Sequence, residues 1–392
     1  MPVKVGVVRG AENINVTELG MYARLRQYGY SVELVCSTRT WVTEADAGMP
    51  ARRLPPPPVS GRVAKTFAGG FLIGQVSSYR YLHQFLRGFH KAVADLDVLS
   101  PVDLGHPTSY QSILERRYGK KVLLYCADNI PYNWPHDRPL RDHYEAVLDG
   151  ADHFLALSDG AQRTLLAQGV RAERISRLNV GVDVAFWSPA AVPSERTDGP
   201  LRLLFVGRLH WQKGLQTVLE AMELTRSPAE LTVLGRGPEE ARFRWLLEQR
   251  ARRGNPQLRE RVHFVTERVS AEALRRLRQE SHVQLVPSIP TPSWREQMNF
   301  AMLEGLACGV PAIASETGGI PEAITDGREG LLVPPDQPLA WANAIDRIAA
   351  DEVGRRRMSA AARARIVSDY DLEKQGAALA EILRVKMGTA PS

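Results

Sequence analysis

The chain has 392 residues, 44% hydrophobic and 24% charged, and a formal net charge of +6, which is too long for one comfortable core and fits two domains of ordinary size. No run of about 18 apolar residues exists and the opening MPVKVGVVRG already reads as a strand, which argues against a transmembrane helix and a signal peptide. The basic excess is mostly Arg, with 8 Lys among 50 basic residues; it suits a phosphorylated substrate or anionic lipid, while the lack of a zinc-finger, RNP or basic-heptad pattern argues against nucleic acid.

Cys36, Cys126 and Cys308 each follow apolar residues without Cys-x-x-Cys or Cys/His spacing, and read as reduced core residues of a cytoplasmic protein. Strands alternate with amphipathic helices throughout, so the fold class is α/β. Val3 to Val8 reads as a strand, Asn13 to Tyr28 as a helix ended by Gly29, and Ser31 to Cys36 as the next strand, a βαβ opening. Leu54 to Val59 holds four consecutive prolines and should be stiff and extended. In Arg62 to Lys91, a glycine-broken apolar run precedes Tyr79, Leu82, Phe85, Leu86 and Phe89 at helical spacing among basic residues. It reads either as a core helix behind a loop or as a basic, apolar surface for a lipid-linked acceptor or an anionic membrane.

Asp97 to Leu99 and Lys121 to Cys126 read as strands that release loops at their carboxyl ends, the first holding Asp103 and His106, the second Asp128 and Asn129 and running on to His136. In a parallel sheet both loops lie on the ligand-binding edge. Ser188 to Pro200 lacks periodicity and reads as the interdomain linker, giving domains at 1–187 and 201–370 and a final segment at 371–392.

The second domain opens with the strand Leu201 to Val206, then Gly207, Arg208 and Lys213. Gly207 permits close backbone approach, Arg208 offers a planar fork to a phosphate, and Lys213 adds a point charge on a flexible stem, a set that suits a pyrophosphate. After the strand Val283 to Val286, a helix is expected over Met298 to Cys308 with Gly309 as its left-handed cap, so Glu296 stands where a strand hands over to a helix. Glu304 follows eight residues later, about 12 Å at the helical rise. Gly318 and Gly319 follow a strand over Pro311 to Ala314, and their amides are expected to face a phosphate or sugar.

The run from Trp294 to Asp336, with WREQ, the Glu-x7-Glu pair, LEGLACGVPAIAS and ETGGIPEAITDGREGLLVPP, resembles the donor-site signature of retaining family 4 glycosyltransferases of the GT-B architecture. GRLHWQKG resembles that family's phosphate-binding segment. The resemblance implies two Rossmann-like domains facing across a cleft, with the last helix, around Leu372 to Val385, returning to the first. It implies transfer of a hexose from a nucleotide-sugar donor to an alcohol or glycan acceptor bound on the first domain, with no metal and no cofactor. Arg208 and Lys213 would meet the leaving pyrophosphate, Glu296 the sugar hydroxyls and Glu304 the ribose, while backbone near Val269 would meet the base. On the acceptor side, Asp128 and Asn129 lie in DNIPYNW, which resembles a loop found in part of the family, His106 is a further candidate, and Arg9 to Asn15 is either a remodelled acceptor loop or a longer surface turn. Asn299 stands where relatives commonly have glycine; it can cap the helix while narrowing the donor pocket. A nucleotide-sugar epimerase and a non-catalytic nucleotide-sugar binder are the rival readings.

Overall fold

The computed structural model describes residues 2–10, 14–57, 84–133, 138–191 and 199–389. Much of the Arg62 to Lys91 surface, including Arg62, Lys65, Phe67, Phe71, Leu72, Ile73 and Arg80, lies outside these residues, as do part of the Arg9 to Asn15 turn, His136 and most of the Ser188 to Pro200 stretch. The chain divides into two compact units, one formed by 1–181 with 372–392 and the other by 182–371.

The first unit is built on strands β1 (Lys4–Arg9), β2 (Ser31–Ser37), β3 (Ala51–Leu54), β4 (Val98–Ser100), β5 (Lys121–Cys126), β6 (His153–Ala156) and β7 (Ile175–Arg177). Their order is β3-β2-β1-β4-β5-β6-β7, parallel throughout. The central strands are buried on both faces, which is why they read as continuous Val and Leu runs and not as alternating ones. The strand order reverses between β1 and β4, so their carboxyl ends flank a crevice.

The helix Leu372–Lys386 belongs to this unit and packs on Val16–Arg24. Small residues let the backbones close: a Cβ on Gly376 would lie 2.6 Å from Arg24 Cβ. Arg24 Nε donates to Glu373 at 2.5 Å, and Tyr30 Oη donates to Thr389 O at 2.7 Å.

The second unit carries β8 (Leu201–Val206), β9 (Ala229–Leu234), β10 (Val262–Val265), β11 (Val283–Val286), β12 (Ala312–Ser315) and β13 (Gly330–Val333). These run parallel in the order β10-β9-β8-β11-β12-β13, with the reversal between β8 and β11. Phe205, Leu215, Val218, Val283, Leu285, Trp341 and Ile345 are among the residues of its core.

Two boundaries differ from the sequence reading. Val182 N–H donates to Tyr370 O at 2.7 Å, and the Arg363 guanidinium donates to Val184 O and Trp187 O at 2.9 and 2.8 Å, so 182–187 is held by the second unit, ahead of the composition break at Ser188. The helix expected from Met298 begins at Phe300: Met298 is buried yet lies in the loop, and Asn299 occupies the N-cap, its side chain accepting from Met302 N–H at 2.9 Å. Gly309 follows the helix with φ +74°, as a left-handed terminator should.

His153 is buried on β6 with Nε2 2.9 Å from Ser176 Oγ, and burial, reinforced by Lys386 and Arg174, lowers its pKa to about 4. The folded value lies below the unfolded one of about 6.5, so the contribution is intact above that pH and is lost as pH falls toward 4. His153→Gln should lose less stability than the parent chain between pH 6.5 and 4, measured as urea midpoints across that range. Parallel acid profiles for the two proteins would refute the assignment.

Candidate functional site

At the switch point of the second sheet, loops from neighbouring strands interlock through their backbones. Gly214, at φ +73°, approaches so closely that a Cβ would stand 1.7 Å from Pro287 O, and Ile289 N–H donates to Gln212 O at 2.8 Å. Gly318, at φ +59°, would place a Cβ 1.9 Å from Glu296 O. Only glycine meets both the left-handed backbone and the approach at these two positions. The loop after β11 is thus gripped from the β8 side and the β12 side, and Glu296 is held between them.

Glu296 is 5% exposed, and its Oε2 accepts from Lys213 Nζ at 2.6 Å and Ser288 Oγ at 2.6 Å, with Asn299 Nδ2 at 3.4 Å. The Lys213 ammonium also lies 5.2 Å from the centre of the Trp294 ring, which adds cation–π attraction. Arg208, on the same loop as Lys213, is exposed and has no ion pair among the described residues. That loop therefore carries an exposed guanidinium, unpaired among the described residues, and an ammonium whose charge is shared with a carboxylate. Packing inside the unit does not demand Gly207, where a Cβ would meet the Phe205 ring at an ordinary 3.4 Å.

Two sequence expectations change. The Gly319 amide is not a free donor, because it bonds Glu296 O at 2.9 Å; the glycine pair serves close packing against Glu296 and Gln297. The helical-rise estimate between Glu296 and Glu304 does not apply either, since only the part from Phe300 is helical. Glu304 lies on that helix with Oε2 2.7 Å from Nη2 of Arg278, which is 1% exposed and stacks its guanidinium 4.4 Å from the centre of the Trp187 ring. Val269 is half-buried beyond β10, just before Ser270, which caps the helix Ala271–Glu280.

In the first unit, the ends of β1, β4 and β5 gather a second polar group. Arg9, 2% exposed, donates from Nε to Glu18 at 2.5 Å and from Nη1 to Ser100 O at 2.9 Å, with its guanidinium over the Tyr22 and Tyr125 rings at 5.8 and 5.7 Å. His106 occupies the N-cap of the helix Pro107–Leu114 without capping it, and burial, then Arg9, lowers its pKa to about 4, so it is neutral near pH 7. Asp103 accepts from Ala127 N–H at 2.7 Å. Burial raises the Asp103 pKa, and burial together with Asp103 pushes Asp128 well above the usual carboxylate range. Asn129 packs near Gly160, where a Cβ would come 3.1 Å from its own.

The structure thus brings Lys213 and Glu296 into contact, places His106 near Arg9 and Asp128 beside Asp103, and engages Glu304 with Arg278. Among the described residues, Asp103, Cys126 and Asp128 place candidate ligand atoms within 4.8 Å of one another. Burial raises the Cys126 thiol, and Asp103 already ties two loops through backbone N–H groups, so the trio fits a protonated structural cluster better than a thiolate metal centre. Sequence reading passed over Ser288, Arg278 and the buried Arg9–Glu18 pair. Of these, only the Arg at the end of a strand, with a Glu in the helix that follows, leaves a local signal.

The Glycosyl transferases group 1 family matches residues 200–351. Among curated relatives, the chain is 30% identical over 218 residues to glycogen synthase of Mycobacterium tuberculosis, covering 55% of this chain and 49% of the relative. It is 30% identical over 234 residues to D-inositol 3-phosphate glycosyltransferase of Xylanimonas cellulosilytica, covering 56% and 54%. It is also 28% identical over 248 residues to the putative colanic acid biosynthesis glycosyltransferase WcaL of Escherichia coli, covering 62% and 58%. The chain spans about half the length of the first of these relatives. Among solved structures, Anabaena HepE in complex with UDP superposes with a TM-score of 0.76 at 16% identity, covering 97% of this chain and 99% of that one. Sucrose-phosphate synthase of Thermosynechococcus elongatus gives 0.75 at 20%, covering 98% and 99%. With two parallel, doubly wound sheets and these neighbours, the chain has the GT-B fold, and its residues 200–351 match the Glycosyl transferases group 1 family.

Proposed function

We propose that this protein is a retaining glycosyltransferase that moves a hexose from a nucleotide-diphosphate sugar to an alcohol acceptor. The observation that carries the reading is the Lys213–Glu296 contact at the β8/β11 switch point, with exposed Arg208 on the same loop. As the bond between the anomeric carbon and the phosphate oxygen breaks, negative charge grows on the pyrophosphate and positive character on the sugar. Arg208 and Lys213 offset the first, and no metal is invoked. Glu296 holds sugar hydroxyls close to the developing positive charge, and Glu304 meets the ribose. The acceptor oxygen bonds to the anomeric carbon on the face the phosphate leaves, and its proton passes to the departing phosphate oxygen, which balances the step. The acceptor sits on the first unit near His106, Asp128 and Asn129.

Among the described residues, no helix is long and apolar enough to cross a membrane. A cytoplasmic location and contact of Arg62 to Lys91 with anionic lipid belong to this proposal. Co-sedimentation with anionic vesicles at low salt, released by high salt, is the expected behaviour; equal recovery with neutral vesicles would exclude that contact.

A thermal-shift panel of nucleotide-sugars followed by product analysis tests the reaction, because a true donor stabilises the chain by mass action. Transfer to an added alcohol is expected, and conversion of donor alone into an epimer would sink the reading. Arg208→Ala should lower kcat/KM by about 1.5 to 3 kcal/mol, roughly ten- to hundredfold, with little change in Tm because the side chain is exposed. Lys213→Ala should lower both, since it strands the buried Glu296 carboxylate.

For the two carboxylates, Glu296→Gln should spare binding of free nucleoside diphosphate and weaken the intact sugar donor. Glu304→Gln should weaken both and also cost stability by leaving Arg278 without its counter-charge. Calorimetric titration of both ligands into both variants checks this; equal losses all round would contradict the assigned order.

A further inference from the structure

At the β1/β4 switch point of the first unit, four side-chain polar atoms are shut off from solvent without a partner among the described residues: Arg9 Nη2, His106 Nδ1, Thr108 Oγ1 and Tyr125 Oη. They occupy one neighbourhood. Arg9 ends β1, with its guanidinium 5.7 Å from the Tyr125 ring centre. Next to Arg9, a Cβ on Gly10 would lie 2.6 Å from Thr108 Cγ2, and Thr108 follows His106 by two residues at the start of the helix Pro107–Leu114. Arg9 is 2% exposed, Thr108 0% and Tyr125 1%. Folded proteins leave few buried polar atoms unpaired, and four in one neighbourhood at the carboxyl edge of a parallel sheet point to a place where a ligand can complete the hydrogen bonding.

Charge decides what kind of ligand. The Arg9 guanidinium is matched by Glu18 at 2.5 Å, and His106 is neutral near pH 7. Asp103 and Asp128, both pushed toward the protonated form by burial, bring no cation to the site. The neighbourhood has no positive charge to spare, so a phosphate or carboxylate would be buried there against the local field. A hydroxyl fits. It accepts from Arg9 Nη2, which can only donate, and donates to Tyr125, Thr108 or the imidazole, each of which can accept.

We propose that Arg9, His106, Thr108 and Tyr125 seat an uncharged, hydroxyl-bearing part of the acceptor, a polyol or sugar free of phosphate at that position. The assignment to the acceptor rests on the transferase reading above; the preference for a neutral hydroxyl rests on the orphaned atoms and the charge around them.

Saturation-transfer NMR and calorimetry on the full chain, with glucose and myo-inositol as probes against glucose 6-phosphate, test it. The parent protein should bind at least one neutral probe more tightly than the phosphate ester. Tyr125→Phe and Thr108→Val each delete one orphaned oxygen while keeping shape; Tm should hold or rise, and affinity for the neutral probe should fall about tenfold in the pair. Binding of neither neutral probe by the parent chain overturns the proposal. So does unchanged affinity in the folded variants, which is what buried structural water at these atoms would give, or tighter binding of glucose 6-phosphate that the variants abolish. UDP titrated into the same samples reports separately on the second unit. Loss of UDP binding with the polyol result intact would strike the transferase reading alone; retained UDP binding without polyol binding would strike this one.

Discussion

The second unit depends on the locking of its edge loops around Glu296. With Gly214 pressed on Pro287 and Gly318 on Glu296, the loop after β11 cannot shift without breaking contacts to both neighbouring strands. That confinement holds a nearly buried carboxylate against an ammonium and a serine hydroxyl that both donate to it. Preorganisation of this kind removes the reorganisation that a flexible charged loop would have to undergo when a charged ligand arrives.

The two units handle buried charge differently. In the first, Arg9 and Glu18 are sealed together under aromatic rings, and the cation is spent within the fold. In the second, Lys213 is paired but partly open, and Arg208 is left in solvent. An ion pair sealed from water gives position more than net stability, whereas an open cation keeps its charge for a partner. The contrast supports the proposal of an anionic donor on one unit and an uncharged group on the other.

How far the sequence discloses this follows from the range of each interaction. Leu201–Val206 and Val283–Val286 could be read to the residue, because each is a short apolar run interrupted by a single polar residue, Arg202 or Gln284. The start of the helix after β11 could not, because Met298 continues the apolar pattern while its backbone stays in the loop; Asn299, a good cap, was the better guide. Glycines show in sequence that a backbone is special without showing what approaches it, so Gly319 was read as a donor to a ligand although its amide is spent on Glu296. The pairing of Glu304 with Arg278 joins two helices and had no local signal. Family resemblance named the candidate donor-side residues, and physical contact then separated those that touch one another from those that do not.

The first unit is discontinuous in the chain: its sheet is complete by residue 181, but the helix that covers Val16–Arg24 arrives only after residue 371. During synthesis the second unit can therefore close its own core while the first still exposes the groove beside Gly20, where Leu372 comes to rest. Domains generally fold as units in order of synthesis. Here the order is inverted for the final step, so the earliest-made sheet is the last to be finished, and truncation near the carboxyl end injures the amino-terminal unit first.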